Sequence, residues 1–358
     1  MDLAATCGAL IMGGFAGTSV PPHVLRALRE GRRGGVILFK PNVEGGPEQV
    51  ASLTRQVHEL ASVAPLIGID QEGGRVARLR GRPWLSVPPM ATVASWGDVD
   101  LARRIAAGVG RELAAVGITL NFAPVLDINT CAANPIIGDR AFGADAGAVE
   151  SFGIAWLHGL QDAGLLACGK HFPGHGDTTK DSHIDFPVVD QPIDRLHRVE
   201  MAPFRAAAAA GVAALMTAHV VYPALDADRP ATLSPAVCTR ERERIGFRGL
   251  LVSDDLEMQA VAGKWSIEEA AVLAVAAGCD LLLVCWSEDK QERALEALVH
   301  EAERSPAFLA RCEQARERTA LARQRVEVRP VDGDDVLRVV GGDTSRAIEA
   351  EITRRNGS

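Results

Sequence analysis

The chain has 358 residues, of which 47% are hydrophobic and only 4% aromatic, and its formal net charge is −8. A core built of Ala, Val, Leu and Ile suits strands that helices bury on both faces, so the composition favours an α/β protein. The acidic balance argues against binding to nucleic acid or to an anionic membrane, because both need a basic surface.

The N-terminal stretch carries Asp2 and no basic segment, and its apolar part, residues 3–15, is short and interrupted by glycine. A signal peptide needs a basic start, and a transmembrane helix needs about 20 apolar residues, which no run supplies. The seven cysteines are scattered without CxxC spacing, as expected of small apolar residues in a reducing compartment. We therefore expect a cytoplasmic protein.

Eight short apolar runs recur along the chain, with amphipathic helical segments between them. Eight alternations favour a closed (β/α)8 barrel of the TIM type over a doubly wound sheet of five or six strands. No GxGxxG motif follows any run, so no dinucleotide cofactor is expected. The runs are CGALIMGGF (7–15), GGVILFK (34–40), PLIGID (65–70), ITLNFAPV (118–125), LACGKHF (166–172), ALMTAHV (214–220), GLLVSD (249–254) and CDLLLVCW (279–286).

The helical segments end alike, in a glycine that the next strand follows at once. Such a glycine is typical of the left-handed position after a helix, and Ser266 with Glu269 predicts a capping box at the start of one helix. The four glycines are Gly117, Gly164, Gly211 and Gly278. We predict one α/β domain, a catalytic barrel over residues 1–328, followed by a short tail at 329–358 that is partly helical or disordered.

Functional side chains stand at the C-terminal ends of five of the apolar runs. The carboxyl ends of barrel strands meet at one face, where barrel enzymes build their active sites. The sequence therefore predicts a site at that face. The residues are Asp70 in the third run, Lys170 and His171 in the fifth, His219 in the sixth, Asp254 in the seventh and Trp286 in the eighth.

The segment KHFPGHGDTTKDSHIDFP (170–187) is the densest in polar residues. One interpretation is a metal site, with ligands among His171, His175, Asp177 and His183, although HxH and HExxH spacings are absent. The other is proton transfer, in which Asp181 orients and charges the imidazole of His183 for general acid/base catalysis. The residues alone leave both open.

Two adjacent carboxylates, Asp254 and Asp255, end the seventh run. Successive strand side chains face opposite sides, so we expect only one to point into the barrel mouth. Asp255 stands at the junction with the next helix, where an N-cap explains it. Asp254 is then the candidate nucleophile.

Four motifs together resemble the β-N-acetylglucosaminidases of glycoside hydrolase family 3, the single-domain type of bacterial cell-wall recycling. They are IDQEGGRVAR (69–78), GDRAFG (138–143), KHFPGHGDTTKDSH (170–183) and SDDLEM (253–258). The resemblance implies that Asp254 attacks the anomeric carbon, while His183, paired with Asp181, protonates the leaving oxygen and then activates water. The implied reaction is retaining hydrolysis of a terminal β-linked N-acetylglucosamine. Its acid/base is a histidine, whereas most retaining glycosidases use two carboxylates.

The resemblance also implies sugar contacts, no metal and no cofactor. The implied partner is a small carbohydrate, a muropeptide or oligosaccharide that contains N-acetylglucosamine, and we expect a monomer. The implied contact residues are Asp70, Arg78, Arg140, Lys170 and His171. Arg78 is open to an alternative as a loop salt-bridge partner, and Arg140 to one as a partner of Asp139.

Three other functions remain open at this point. A phosphorylase is one, because a histidine acid/base does not repel an incoming phosphate dianion. A metal-dependent barrel hydrolase using the same histidines is a second, and a non-catalytic sugar-binding barrel is a third.

Overall fold

A closed barrel of eight parallel strands forms the centre of the computed structural model, which describes residues 2–180, 187–328, 330, 332–333 and 335–357. Each predicted apolar run supplies one strand, so the (β/α)8 prediction is confirmed. The strands are β1 (Ile11–Gly13), β2 (Gly35–Leu38), β3 (Leu66–Ile69), β4 (Leu120–Asn121), β5 (Leu166–Phe172), β6 (Ala214–Thr217), β7 (Leu250–Asp255) and β8 (Leu281–Val284).

The strands follow one another around the barrel in chain order. Each pairs in parallel with the next, and β8 closes the ring on β1, with Ile11 opposite Leu282 and Gly13 opposite Val284. The described helices before, between and after the strands are α1 (Leu3–Gly8), α2 (Pro22–Arg29), α3 (Pro47–Leu60), α4 (Met90–Ser95), α5 (Val99–Ala115), α6 (Ala146–Asp162), α7 (Ile193–Arg198), α8 (Ala202–Ala209), α9 (Arg242–Arg244), α10 (Gln259–Ala262), α11 (Ile267–Ala277), α12 (Glu288–Arg304), α13 (Pro306–Gln324), α14 (Asp335–Val339) and α15 (Asp343–Asn356). No described helix is both long and apolar enough to cross a bilayer.

Short helical turns and small sheets decorate the loops. A four-stranded sheet joins the segments after β5 and β6, through Thr179–Lys180, Pro187–Val188, Val221–Tyr222 and Asp226–Pro230. A hairpin of Gln71–Gly73 and Val76–Ala77 follows β3. The 3-10 turns are Lys40–Asn42, Gly138–Arg140 and Ala231–Leu233, and a π-helical turn spans Ala236–Glu241. These additions lie on the loops that form the mouth of the barrel, apart from the π-helical turn that leads into α9.

The barrel interior is packed with apolar side chains from all eight strands. One buried cluster joins Met12, Leu120, Cys168 and Leu283 with their counterparts on the other strands. Gly68 in β3 leaves the room that this packing needs, since a Cβ there would stand 2.8 Å from the ring of Phe122. A second cluster fills the layer between strands and helices. The barrel is therefore a solid core that carries its chemistry on one end.

The helix boundaries follow the sequence signals. The four glycines predicted after helices have φ between 76° and 133°, the left-handed region that favours glycine. Ser266 and Glu269 form the predicted capping box of α11, each side chain accepting from the other's backbone N–H. Local chemistry thus ends these four helices where the next strand must begin.

The C-terminal segment docks on the barrel's outer layer. Ile348 and Ile352 of α15 are buried, and Glu112 of α5 accepts hydrogen bonds from Gly341 N at 3.0 Å and Ser345 Oγ at 2.5 Å. Arg104 pairs with Glu351 in the same contact. The described part of the tail therefore contains two helices, α14 and α15, and α5 holds the second, while the domain boundary at 328 stays a prediction.

Candidate active site

A cleft of about 390 Å³ opens at the carboxyl ends of the strands. Six of the eight predicted catalytic and sugar-binding residues line it together, although they come from four different strand ends or loops. They are Asp70, Arg78, Arg140, Lys170, His171 and Asp254. Asp181 and His183 lie outside the described residues, so the acid/base pair stays a prediction.

The floor of the cleft is a network of buried charges around Lys170. Its Nζ lies 2.9 Å from Asp70 Oδ1 and 2.6 Å from Glu72 Oε1. Lys170 comes from β5 and both carboxylates from the chain just after β3, so the network ties strands that are not neighbours in the sheet. The ammonium group is thereby fixed between two acceptors at the base of the cleft.

Two arginines extend this network toward the rim. Arg78 Nη2 donates to Asp70 Oδ2 at 2.8 Å. Arg140 binds Glu72 in a bidentate pair, with its Nε 2.9 Å from Oε2 and its Nη2 2.8 Å from Oε1. The alternative pairing of Arg140 with Asp139 is wrong in the structure, because Arg75 reaches Asp139 instead, at 2.9 Å.

The network keeps its members charged. Burial opposes ionisation of Asp70 and Glu72, but the positive charges of Lys170 and the arginines outweigh it, and both pKa values lie below the ordinary range. Burial likewise opposes the charge of Lys170, yet Asp70 and Glu72 raise its pKa above the usual value. The cleft floor therefore offers fixed and largely buried charges of both signs, and charged groups form strong hydrogen bonds to hydroxyl groups.

His171 is oriented by a buried carboxylate, Asp127. His171 Nδ1 lies 2.7 Å from Asp127 Oδ2, and the backbone N–H groups of His171 and His175 also donate to Asp127. Burial opposes the ionisation of Asp127, but its interactions with His171 and His175 together outweigh burial and lower the Asp127 pKa. With Nδ1 engaged, Nε2 of His171 is the ring nitrogen left to face the cleft.

The first part of the loop after β5, residues 173–178, is anchored to the loop after β4. Asn134 donates to the carbonyls of His175 and Gly176 at 2.9 and 3.2 Å, and Asp177 accepts from Thr130 at 2.8 Å. Gly176 is required by close packing, since a Cβ there would lie 1.7 Å from the carbonyl oxygen of Ile128. Burial, with the nearby His171, lowers the pKa of His175 to about 4, so that this ring is neutral.

Both aspartates at the end of β7 contribute to the cleft. Asp254 Oδ1 accepts from Asp255 N at 2.8 Å, and both residues line the opening. The prediction that Asp255 caps the next helix is wrong: α10 begins later, after Met258, and Asp255 Oδ1 accepts from the N–H groups of Glu257 and Cys285 at 3.1 and 3.2 Å. Burial, with Asp254 adding to it, raises the Asp255 pKa to about 6.

His219 has a supporting place behind these carboxylates. Its Nε2 donates to the Asp255 carbonyl at 2.9 Å, and its Nδ1 lies 2.8 Å from Thr232 Oγ1. Burial lowers its pKa. Within the described ranges, no cluster of three or more His, Cys, Asp or Glu side chains is arranged to hold a metal ion.

Sequence reasoning missed two charged residues and one aromatic residue of this site. Glu72 stands two residues after Asp70 in a quoted motif, and Asp127 follows the fourth apolar run by two residues. Because both residues stand just past the end of a predicted strand, their position could have indicated a place in the site. Phe39, at the end of the second run, lines the cleft with the predicted Trp286.

The comparisons with known proteins agree with this geometry. The family model described as "Glycosyl hydrolase family 3 N terminal domain" matches residues 20–320. A β-hexosaminidase from Thiobacillus denitrificans (strain ATCC 25259 / T1) is 41% identical over 300 residues, which cover 82% of each chain.

Two solved structures are similar along most of the chain. The family 3 β-N-acetylglucosaminidase from Paenibacillus sp. str. FPU-7 matches with a TM-score of 0.86 and 39% identity, over 95% of this chain and 68% of that one. NagZ from Neisseria gonorrhoeae in complex with N-trifluoroacetyl-D-glucosamine matches with a TM-score of 0.79 and 30% identity, over 97% of both chains. The chain therefore belongs to glycosyl hydrolase family 3 and is a glycoside hydrolase of the β-hexosaminidase type.

Proposed function

We propose that this enzyme is a retaining exo-β-N-acetylglucosaminidase that removes the terminal non-reducing N-acetylglucosamine from peptidoglycan fragments. The observation that carries the proposal is the convergence of Asp254 with a fixed charge network in one cleft at the catalytic end of the barrel. A nucleophile beside groups that hold sugar hydroxyls is the arrangement that glycosyl transfer to the enzyme needs.

The proposed reaction has two displacements at the anomeric carbon. In the first, a carboxylate oxygen of Asp254 bonds to that carbon while the glycosidic C–O bond breaks, and His183 gives its proton to the leaving oxygen. In the second, His183 takes a proton from water as the water oxygen attacks the same carbon, and Asp254 departs as carboxylate. Asp181 orients His183 and stabilises its protonated form. Two inversions leave the product in the β configuration.

The floor of the cleft is proposed to bind the hydroxyls of the sugar that is cleaved. Asp70 is a charged acceptor, and Lys170 and Arg78 are donors on either side of it. Arg140 supplies further donors and the His171 ring a further hydrogen-bonding group from the same lining. Because each group is already held by an ion pair or carboxylate, little reorganisation accompanies binding.

The sugar specificity is supported by the relatives. The Paenibacillus relative is described as a β-N-acetylglucosaminidase, and the Neisseria relative was solved with an N-acylated glucosamine. All seven cysteines of this chain are free thiols, which supports action in the cytoplasm. We propose a monomer that acts on muropeptides or oligosaccharides without a cofactor.

The test compares release from an aryl β-N-acetylglucosaminide and an aryl β-glucoside, each with and without phosphate and EDTA. Release from the acetamido sugar alone, unaffected by either addition, supports the proposal. Dependence on phosphate instead indicates a phosphorylase, and loss with EDTA indicates metal-assisted hydrolysis. Failure to release either aglycone rejects the proposed activity altogether.

The stereochemistry needs its own measurement. Proton NMR of the first product, recorded before mutarotation, distinguishes a β from an α anomer. The β anomer supports the covalent intermediate on Asp254, whereas the α anomer requires a single displacement and refutes it.

A further inference from the structure

The mouth of the cleft carries an unusual concentration of exposed apolar side chains. Among the described residues, six large hydrophobic side chains are exposed, and three of them, Ile136, Met258 and Trp286, line this one opening. Single exposed hydrophobic residues are ordinary, but a contiguous group beside a polar cleft marks a binding surface. Trp286 is the most exposed of the six, at 61%.

Trp286 and Phe39 form a stacked pair, which we call the aromatic shelf. Their ring centroids are 4.3 Å apart at an interplanar angle of 28°. The guanidinium of Arg78 lies over Phe39, 5.4 Å from its centroid, and the same Arg78 binds Asp70 on the cleft floor. The shelf is therefore continuous with the charge network that we propose for the sugar hydroxyls.

The backbone on both sides of the shelf is held in place. Trp286 N donates to Glu257 Oε2 at 2.6 Å, and Lys290 pairs with the other oxygen of that carboxylate at 3.3 Å. On the opposite side, Phe39 N donates to Asn42 Oδ1 at 2.7 Å. The exposed indole ring thus stands on a fixed frame, and a ligand can use its surface at a small conformational cost.

We infer that the aromatic shelf binds the second pyranose ring of the substrate, the sugar that leaves when the terminal N-acetylglucosamine is transferred to the enzyme. This inference rests on the proposed function. A pyranose with equatorial substituents presents a face of C–H bonds, and these are attracted to the electron-rich face of an indole ring. The first sugar needs the polar floor for its hydroxyls, so the apolar shelf at the mouth is left for the leaving group.

The experiment compares two substrates that differ only in the presence of that second ring. Diacetylchitobiose has it, and methyl β-N-acetylglucosaminide does not. Trp286→Ala is expected to lower the ratio of kcat/KM for diacetylchitobiose to that for the methyl glycoside about tenfold, which corresponds to about 1.4 kcal/mol. Trp286→Phe, which keeps an aromatic face, should restore most of the ratio.

The matched control is Leu321→Ala. Leu321 is 54% exposed on α13, away from the cleft, so its removal should leave the ratio as in the wild type. If Trp286→Ala lowers kcat/KM equally for both substrates, or leaves both values unchanged, the inference is overturned. A change in sedimentation mass on Trp286→Ala assigns the shelf to contact between copies and also overturns it. If the wild type cleaves neither substrate nor an aryl β-N-acetylglucosaminide, the proposed function fails first.

Discussion

Replacing Glu72 by glutamine removes one negative charge from the floor of the cleft while keeping the size of the side chain. Glu72 is only 2% exposed. It accepts two hydrogen bonds from Arg140 and lies 2.6 Å from Lys170 Nζ. A glutamine offers one acceptor oxygen, and its NH₂ group would face cationic donors, so at least one of these contacts is lost.

The expected cost follows from burial. Removing one partner of a buried ion pair costs about 3–5 kcal/mol, because the remaining charge stays desolvated. Since the amide oxygen still accepts one bond and Asp70 still pairs with Lys170, we expect a loss of about 3 kcal/mol in the free energy of unfolding. Arg140 loses its paired carboxylate and Lys170 loses one of its two, so the cleft floor is less well fixed and kcat/KM should fall at least about tenfold.

Urea unfolding at neutral pH measures the first effect and steady-state kinetics the second. Asp139→Asn is the matched control, because it breaks a pair in which Arg75 and Asp139 are each 46% exposed, and such pairs contribute at most about 1 kcal/mol. A Glu72→Gln enzyme within about 1 kcal/mol of the wild type, with unchanged kinetics, would refute the reasoning.

The pH dependence gives a second check on the same variant. Burial opposes ionisation of Glu72, but Lys170 and Arg140 lower its pKa overall, so its stabilising charge is present above the ordinary value of 4.5 and is lost as the pH falls below it. The difference in free energy of unfolding between wild type and Glu72→Gln should therefore be largest near neutrality. It should shrink in acid.

Three further predictions concern other carboxylates and the acid/base pair. Asp254→Ala should lower kcat by about 10³-fold or more on every substrate, whereas His183→Ala should lose far less on an aryl glycoside with a good leaving group than on a disaccharide; equal losses would reject His183 as the acid. Burial and Asp254 raise the pKa of Asp255 from 3.8 to about 6, so ionisation of Asp255 increasingly opposes folding as the pH rises through that interval. In urea unfolding, Asp255→Asn should therefore raise the free energy of unfolding by about 2 kcal/mol at about pH 8 and change it little at about pH 4. Asp280→Asn should lower the free energy of unfolding by about 3 kcal/mol or more, because the buried Asp280 carboxylate binds three arginines; a loss below about 1 kcal/mol would contradict this.

The barrel was predictable from the sequence because two local signals agree along its whole length. Apolar runs gave the eight strands, and a glycine after a helix marked the step to the next strand at four places. The meeting of Asp70, Lys170 and Asp254 followed from the fold, since parallel strands bring their carboxyl ends together.

The partners of the charged residues were harder to predict, because they depend on the paths of loops. Arg140 reaches Glu72, 68 positions away in the chain, and leaves the adjacent Asp139 to Arg75. Asp127 was missed because its partners include backbone N–H groups that only the folded loop after β5 presents. Sequence spacing carries no information about such contacts.

Buried charge alone does not identify the active site of this barrel. Asp280, just before β8, is fully buried and pairs with Arg242, Arg311 and Arg318 at the opposite end of the strands. There Arg311 also donates to the carbonyls of Gly278 and Cys279, so the cluster caps the end of α11 and joins it to the strand.

The network around Lys170 differs in what it faces. Buried ion pairs give little net stability compared with apolar packing, so neither network is explained by a gain in folding energy. The Lys170 network lies under an open cleft beside Asp254, with the aromatic shelf at its edge. Its cost in stability is consistent with charges held ready for a polar ligand. The Glu72→Gln and Asp280→Asn variants distinguish this ligand-binding network from the structural network around Asp280. Both substitutions should destabilise the fold, but only Glu72→Gln should lower kcat/KM in enzyme that remains folded.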